Sequence, residues 1–502
     1  MLLLSRFKWQ TRVVLAFVCS LLLVLSASGF ALASVRLVQI SSDPYTNSTS
    51  QHHTQVEPDI YSFGSTIVAA FQTGRFYDGG GSNIGWATSS DKGNSWTHGF
   101  LPGTTIFATP PGIYTRDSDP VVAYDAAHST WLISSLAVNS TAIGAAVLVN
   151  QSTDGGHTWG NAVTVSTISS GQFYDKDWIT CDNTATSPFY GHCYVEWDNA
   201  ASFGQGQILM STSTDGGTTW GPPQSPANQK FFGIGGQPLV QPNGTVIVPI
   251  TDASDGTLVS FMSTDGGNSW STPVTIATIN LFLENASIRD GGGLASAQMD
   301  GSGTVYLVWQ DCRFEANCGT TNYGSADDLV MSTSSDGVTW SAVQRIPIDP
   351  IGSGVNHIIP GLGVDRKTSG SHAHLALTYY YFPNAACFTY NCQLDVGFVS
   401  STNGGASWSA AQKLVGPMNL TWLADTTSGF MVGDYVGTAI VGDDAFPVFA
   451  VATPPSGGFL NEAMFTVADQ DLQVVGGSIT SSSHAATVSR SQSKGLSLRT
   501  AF

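Results

Sequence analysis

Two sets of residues in this chain have the types and spacing for chemistry. The first is a phrase, "STDGGNSW" at 263–270, that recurs as "SSDKGNSW" (89–96), "STDGGHTW" (152–159), "STDGGTTW" (213–220), the shortened "SSDGVTW" (334–340) and "STNGGASW" (401–408). Its third position holds Asp91, Asp154, Asp215, Asp265, Asp336 and Asn403. A carboxylate repeated in this way could transfer protons, ligate a metal or accept hydrogen bonds in a turn. The second set is sparse and basic. Between Gln51 and Gln470 there are six arginines, and Arg75, Arg116, Arg289 and Arg313 lie beside acids in "GRFYD", "RDSD", "IRD" and "DCR". Arginine forks bind carboxylates with two hydrogen bonds. Paired carboxyls such as Asp119 with Asp177 or Glu196 suit general acid–base work. Asp175 and Asp177 could instead hold a calcium ion through hard oxygens.

The elements that position these residues follow from the phrase itself. Each copy follows a stretch with strand character, as in "GQILMSTSTDGG" and "DDLVMSTSSDG", and ends in Trp before another extended stretch. That is hairpin grammar. The glycines allow positive φ, and the Asp accepts N–H groups across the turn. Asn403 can do the same, so a turn role suits the phrase better than catalysis. Successive third positions are 63, 61, 50, 71 and 67 residues apart, a length that fits one four-stranded sheet per repeat. Two further strands recur in each unit, for example "EPDIYSF" with "STIVAAFQTGRF" and "GDYVGTAI" with "AFPVFAVA". The fold expected is all-β: a β-propeller of four-stranded antiparallel blades over 56–470, seven blades, with six as the alternative. Strand direction places the phrase on one face and the starts of first strands, with the ends of second strands, on the other. All four arginines fall on that second face.

The phrase S-x-D-x-G-x-[ST]-W resembles the Asp-box, or BNR repeat, of sialidases and related secreted β-propellers. This resemblance implies an arginine cluster holding the carboxylate of sialic acid, here drawn from Arg75, Arg116, Arg289 and Arg313. It also implies a Tyr nucleophile activated by a Glu, with an Asp as acid. Tyr435 in "GDYVG", Glu284 in "LENASIRD", and Asp119 or Asp78 are the matching candidates. The chain departs from the family in having no early [FY]-R-I-P motif; its first unit begins "VEPDI", with Glu57 where an arginine is expected. The readings are therefore a secreted sialidase-like glycosidase acting on acidic glycans, a non-catalytic propeller binding a glycan or glycoprotein, or another Asp-box glycosidase using two carboxylates.

The rest of the sequence bounds these readings. Arg6, Lys8 and Arg12 precede the apolar run from Val13 to Leu25, and "ALA" ends at 33, the pattern of a cleaved signal peptide over 1–33. Its removal takes the formal charge from −18 to −21. An acidic, Lys-poor surface argues against nucleic acid, and no later segment is long and apolar enough to insert in a membrane. The mature chain is expected to be a secreted monomer without a resident cofactor. Six cysteines remain as close neighbours, Cys181 with Cys193, Cys312 with Cys318 and Cys387 with Cys392, and read as disulfides in preference to a zinc site. The segment 34–55 offers "VRLVQI" as a strand that closes the last blade, and the Ser-rich 471–502 reads as a flexible tail.

Overall fold

The computed structural model describes residues 35–200, 207–227, 232–252, 256–284, 286–318 and 325–480. The expected signal peptide lies outside them. Contacts divide the chain after Val35, and everything below belongs to the unit that begins at Arg36.

Alternating and β-branched runs separated by Gly-rich turns fold as antiparallel meanders. The first is Gln55–Phe63, Thr66–Arg75, Gly81–Ser89 and Thr97–Phe100; the second is Arg116–Asp125, Thr130–Val138, Gly144–Ser152 and Val163–Thr167. A single pairing, Gly81 with Asp117, joins these two into one sheet. The third, Tyr174–Cys181, Cys193–Asn199 and Gln207–Ser213, keeps only a bridge from Met210 to Gln224 where a fourth strand was expected. In the fourth, the first strand is broken into Gly233–Ile234 and Leu239–Val240, beside Val246–Asp252, Thr257–Ser263 and Val274–Thr278. The fifth is Ser296–Met299, Val305–Asp311, Asp328–Ser334 and Gln344–Arg345, and the sixth Asn356–Val364, Leu375–Phe382, Gln393–Ser401 and Gln412–Asn419. The last contains Gly437–Val441, Asp444–Ala452 and Glu462–Val467, and its outer strand is the N-terminal Leu37–Gln39, with Leu37 opposite Val467.

Apolar clusters lie between successive meanders. Val68, Ile84 and Trp86 of the first pack on Val122, Trp131 and Ile133 of the second, and Tyr306 and Met331 of the fifth pack on Leu375, Tyr379 and Trp408 of the sixth. Sheets covered on both sides bury both faces of their central strands, so Thr66–Arg75 is buried from Ile67 onward. The first strands stand side by side and are laced by side chains. Asp59 accepts from Val122 N at 2.8 Å, Gln237 from Ala297 N at 2.7 Å and Ser296 from Leu362 N at 3.0 Å.

The repeated turns follow the third strands. Asp154 accepts Ser152 Oγ, His157 N and Thr158 N on one oxygen and Thr158 Oγ1, at 2.6 Å, on the other. Gly156, at φ 82°, approaches Val68 and Thr88 of the preceding sheet so closely that a Cβ would lie 2.9 Å from Val68 Cγ2. Asn403 makes the same turn, accepting Ser407 N at 2.9 Å and donating to Ser407 Oγ. The three expected disulfides form, and among the described residues no helix is long and apolar enough to cross a membrane. The start of the expected tail is held in place. Leu472 and Val474 are buried, Val474 N donates to Asp443 O, and Ile479 pairs with Trp408. Apolar residues among the serines supply the contacts that composition alone hid; 481–502 lie outside the described residues.

Candidate functional site

The end of the sheets opposite the repeated turns contains a recurring irregularity. In the first strands of the first, second, third and sixth meanders the pairing slips, between Val56 and Asp59, Ser118 and Val121, Asp175 and Asp177, and Ile358 and Gly361. The residue looped out has positive φ: Glu57 60°, Asp119 50°, Lys176 42° and Ile359 51°. Such backbone costs about 1–3 kcal/mol per residue when it is not glycine, and bulges re-aim side chains beside functional sites. Three of these four residues carry ionisable side chains, and they interact. Lys176 Nζ lies 3.4 Å from Asp119 Oδ1 and 3.4 Å from the centre of the Tyr435 ring. Burial lowers the Lys176 pKa, but Asp119 and Glu57 more than offset it and keep the ammonium charged. Sequence comparison of "VEPDI", "SDPVV" and "DKDWI" aligns Glu57, Asp119 and Lys176, and is the signal that would have grouped them.

Arg289 enters this centre from a small sheet of its own. Ile288–Arg289 pairs in parallel with Gly429–Met431, which pairs with Ala424–Thr426. Arg289 grips Asp434 with both arms of its fork, Nε to Oδ1 at 2.7 Å and Nη2 to Oδ2. Gly433 permits this: at φ 147° its position lies against the Glu57 backbone, where a Cβ would be 2.8 Å from Glu57 N and Cα. Burial alone would raise Asp434, yet the Arg289 charge holds it down to about 2. Glu57 beside it goes the other way, pushed well up by burial and then by Asp119 and Asp434.

Arg75 completes the group. It lines a narrow recess with Ser118, Asp119, Asp175 and Arg289. Its Nη1 donates to Gln72 Oε1 at 3.0 Å, while Gln72 also donates to Glu57 and to Ser118 Oγ. Burial and the neighbouring Arg289 lower Arg75 to about 10, still charged at neutral pH. Arg75 Nε and Arg289 Nη1 are buried donors with no hydrogen-bond partner among the described residues. Asp175 is pushed well up by burial and by Asp119. The recess thus presents two guanidiniums with unused N–H groups, one of them paired with Asp434, beside a carboxyl whose pKa is raised by burial.

The other expected residues are engaged elsewhere. Arg116 is held by Asp78 through two bonds of 2.7 and 3.2 Å and stacks on Phe76. Arg313 is held by Asp311 at 2.9 and 2.7 Å and by Thr278 O. The expected arginine cluster is therefore reduced to Arg75 and Arg289, because Arg116 is paired with Asp78 and Arg313 with Asp311, away from the recess. Tyr435 is also not poised as a nucleophile. Its hydroxyl donates to Pro120 O at 3.0 Å, and burial and nearby acids push its pKa well up. Glu284 accepts from Asn356 Nδ2 at 2.7 Å and is raised by burial and Asp290; it does not serve Tyr435. At Asp175 and Asp177, where calcium was considered, the Lys176 ammonium supplies positive charge. Among the described residues a set of three metal-type ligands converges only at Asp328, Asp349 and His357, within 4.8 Å of one another. The Arg345 guanidinium already bonds both acids there, at 2.6 and 2.8 Å.

No family model matches the chain, and no curated protein matches it. Among solved structures it is similar to a protein of unknown function from Dyadobacter fermentans, at 15% identity and TM-score 0.47, covering 74% of this chain and 100% of that one. It is similar to the NanB sialidase of Streptococcus pneumoniae at 14% identity and TM-score 0.40, over 88% of this chain and 71% of that one. A polysaccharide lyase described as an ulvan lyase follows at 11% and 0.47, over 86% and 96%. At these values the likeness assigns no residue a role.

Proposed function

We propose that the chain is a secreted seven-bladed β-propeller that takes the acidic end of a glycan at its centre and hydrolyses the adjoining glycosidic bond with carboxyls. One observation carries this reading: two buried guanidiniums, Arg75 and Arg289, line one recess with unpartnered donors, beside Asp119 and Asp175. Arg289 is already paired with Asp434, so the charge open to a ligand carboxylate is that of Arg75, and the free donors are Arg75 Nε and Arg289 Nη1, which would form charge-assisted hydrogen bonds. Asp175 keeps its proton and gives it to the glycosidic oxygen as that bond breaks. Water adds to the anomeric carbon and yields its proton to Asp119. A carboxyl acid working with a carboxyl base is the general pattern of glycosidases. A tyrosine nucleophile has no part in it.

The test is a panel of α-sialosides and hexuronate-terminated glycosides, each paired with its neutral counterpart, scored for binding and for sugar release. Carboxylated members should bind and be cleaved. Arg75→Ala should weaken their binding about 10- to 100-fold, and Asp175→Asn should abolish release while binding persists. Binding without release in the wild type would make this a glycan-binding propeller. Equal binding of neutral and acidic members would overturn the recess as a carboxylate site.

A further inference from the structure

The loop between the second and third strands of the sixth meander, "CFTYNC" at 387–392, carries the most exposed aromatic side chain among the described residues. Tyr390 is 83% exposed and Phe388 65%. Exposed rings on a loose loop would mean little, but this loop is held at every side. Cys387 and Cys392 close it. Inside, Phe388 N donates to Asn391 Oδ1 at 2.7 Å, and Asn391 N and Cys392 N both donate to Phe388 O. Ala385 N anchors its base on Gly354 O. Thr389, between the two aromatics, donates from Oγ1 to Ser287 Oγ at 2.8 Å. Ser287 immediately precedes the strand Ile288–Arg289. The loop is thus fastened to the segment that presents Arg289 to the recess.

We infer that Phe388 and Tyr390 form an outer saccharide subsite, stacking on a pyranose ring of the same glycan whose acidic end is held by Arg75 and Arg289. The inference rests on the recess reading and deepens it, naming an oligosaccharide rather than a single acidic sugar as the substrate. The chemistry is that of the ligand's two surfaces. A pyranose presents hydroxyls at its edge and a patch of C–H groups on its face, and that patch covers an aromatic ring while the hydroxyls stay in water. Phe and Tyr have only two side-chain torsions to immobilise, so a pre-held ring binds at low entropic cost.

The experiment compares the wild type with a Phe388→Ala/Tyr390→Ala double variant on sialylated and hexuronate-terminated glycans of increasing length, from monosaccharide to tetrasaccharide, by calorimetry. In the wild type, affinity should rise about five- to tenfold from monosaccharide to tetrasaccharide. In the double variant that ratio should collapse toward one, and Tyr390→Trp should preserve it. Melting temperatures confirm that both variants fold. A double variant that keeps the full gain with length, or a wild type that needs the acid but ignores length, overturns the subsite and leaves the recess standing. A wild type that ignores the acid yet gains affinity with length through Tyr390 overturns the recess and leaves the subsite. Binding of no glycan at any length overturns both.

Discussion

The two ends of the sheets hold the same side chain in opposite states. At one end, Asp154 is exposed and drawn down to about 2: Thr158 Oγ1 and the N–H groups of Thr158 and His157 outweigh the little burial it has. Asp91, Asp215, Asp265 and Asp336 are lowered in the same manner. At the other end, burial raises Asp59 and Asp117 to about 7 and Asp198 to about 8, and pushes Asp175, Asp177 and Glu196 well up. A third strand such as Gly81–Ser89 separates the ends by roughly 25 Å. The lesson is that repetition of an acid marks scaffolding, whereas at the other end the acids differ from repeat to repeat and have lost their water. Glu57, Asp119 and Lys176 occupy one structural position and share no side chain.

The comparison can be broken most sharply at the Arg289–Asp434 pair. Asp434→Asn leaves a buried guanidinium without its counter-ion and should cost about 3–5 kcal/mol in urea unfolding. Replacing both partners by Met and Leu should recover much of that loss, because no charge is then stranded. A second, intermediate effect is in pH. Asp59 and Asp117 titrate near 4 unfolded and about 7 folded. The folded state therefore binds more protons between those values. Their contribution is complete below about pH 4 and lost as pH rises through 7. Asp434 and Asp154 act oppositely, their contribution being lost as pH falls from 4 toward 2. Stability should peak near pH 4–5 and decline toward pH 8, and Asp59→Asn with Asp117→Asn should flatten the decline in melting curves. The smallest effect is expected at the repeated turns. Asp154→Ala should cost about 1 kcal/mol and leave glycan binding unchanged, and Asp265→Asn should cost still less, since Asn403 already makes that turn. A large loss of glycan binding in Asp154→Ala would erase the distinction between the two ends.

Much of the fold was legible because its signals are local. "STDGG" specifies a turn whose donors lie within four residues of the acceptor, as the Asp265 bonds to Ser263 and Ser269 show. The cysteine pairs, at most 12 residues apart, were readable for the same reason. The site was legible only in part. The placement of Arg75 and Arg289 at one end of the strands followed from strand direction, but their partners did not. Arg313 next to Asp311 in "DCR" is a pair two residues apart, and its neutralisation could have been read. Arg289 with Asp434 spans 145 residues, and Tyr435 with Pro120 spans 315. No spacing rule reaches such distances.

What the sequence by itself determined is the strand–turn grammar, the sorting of residues to two ends, and the three disulfides, all consequences of periodicity and short-range hydrogen bonding. What only the tertiary structure decided is the protonation and availability of each charged group. Four first-strand bulges turn their side chains into a region with little water. There the same carboxyl is drawn down by a guanidinium, as Asp434 is, or pushed up by burial, as Asp175 is. That outcome depends on which distant chain segment packs beside it.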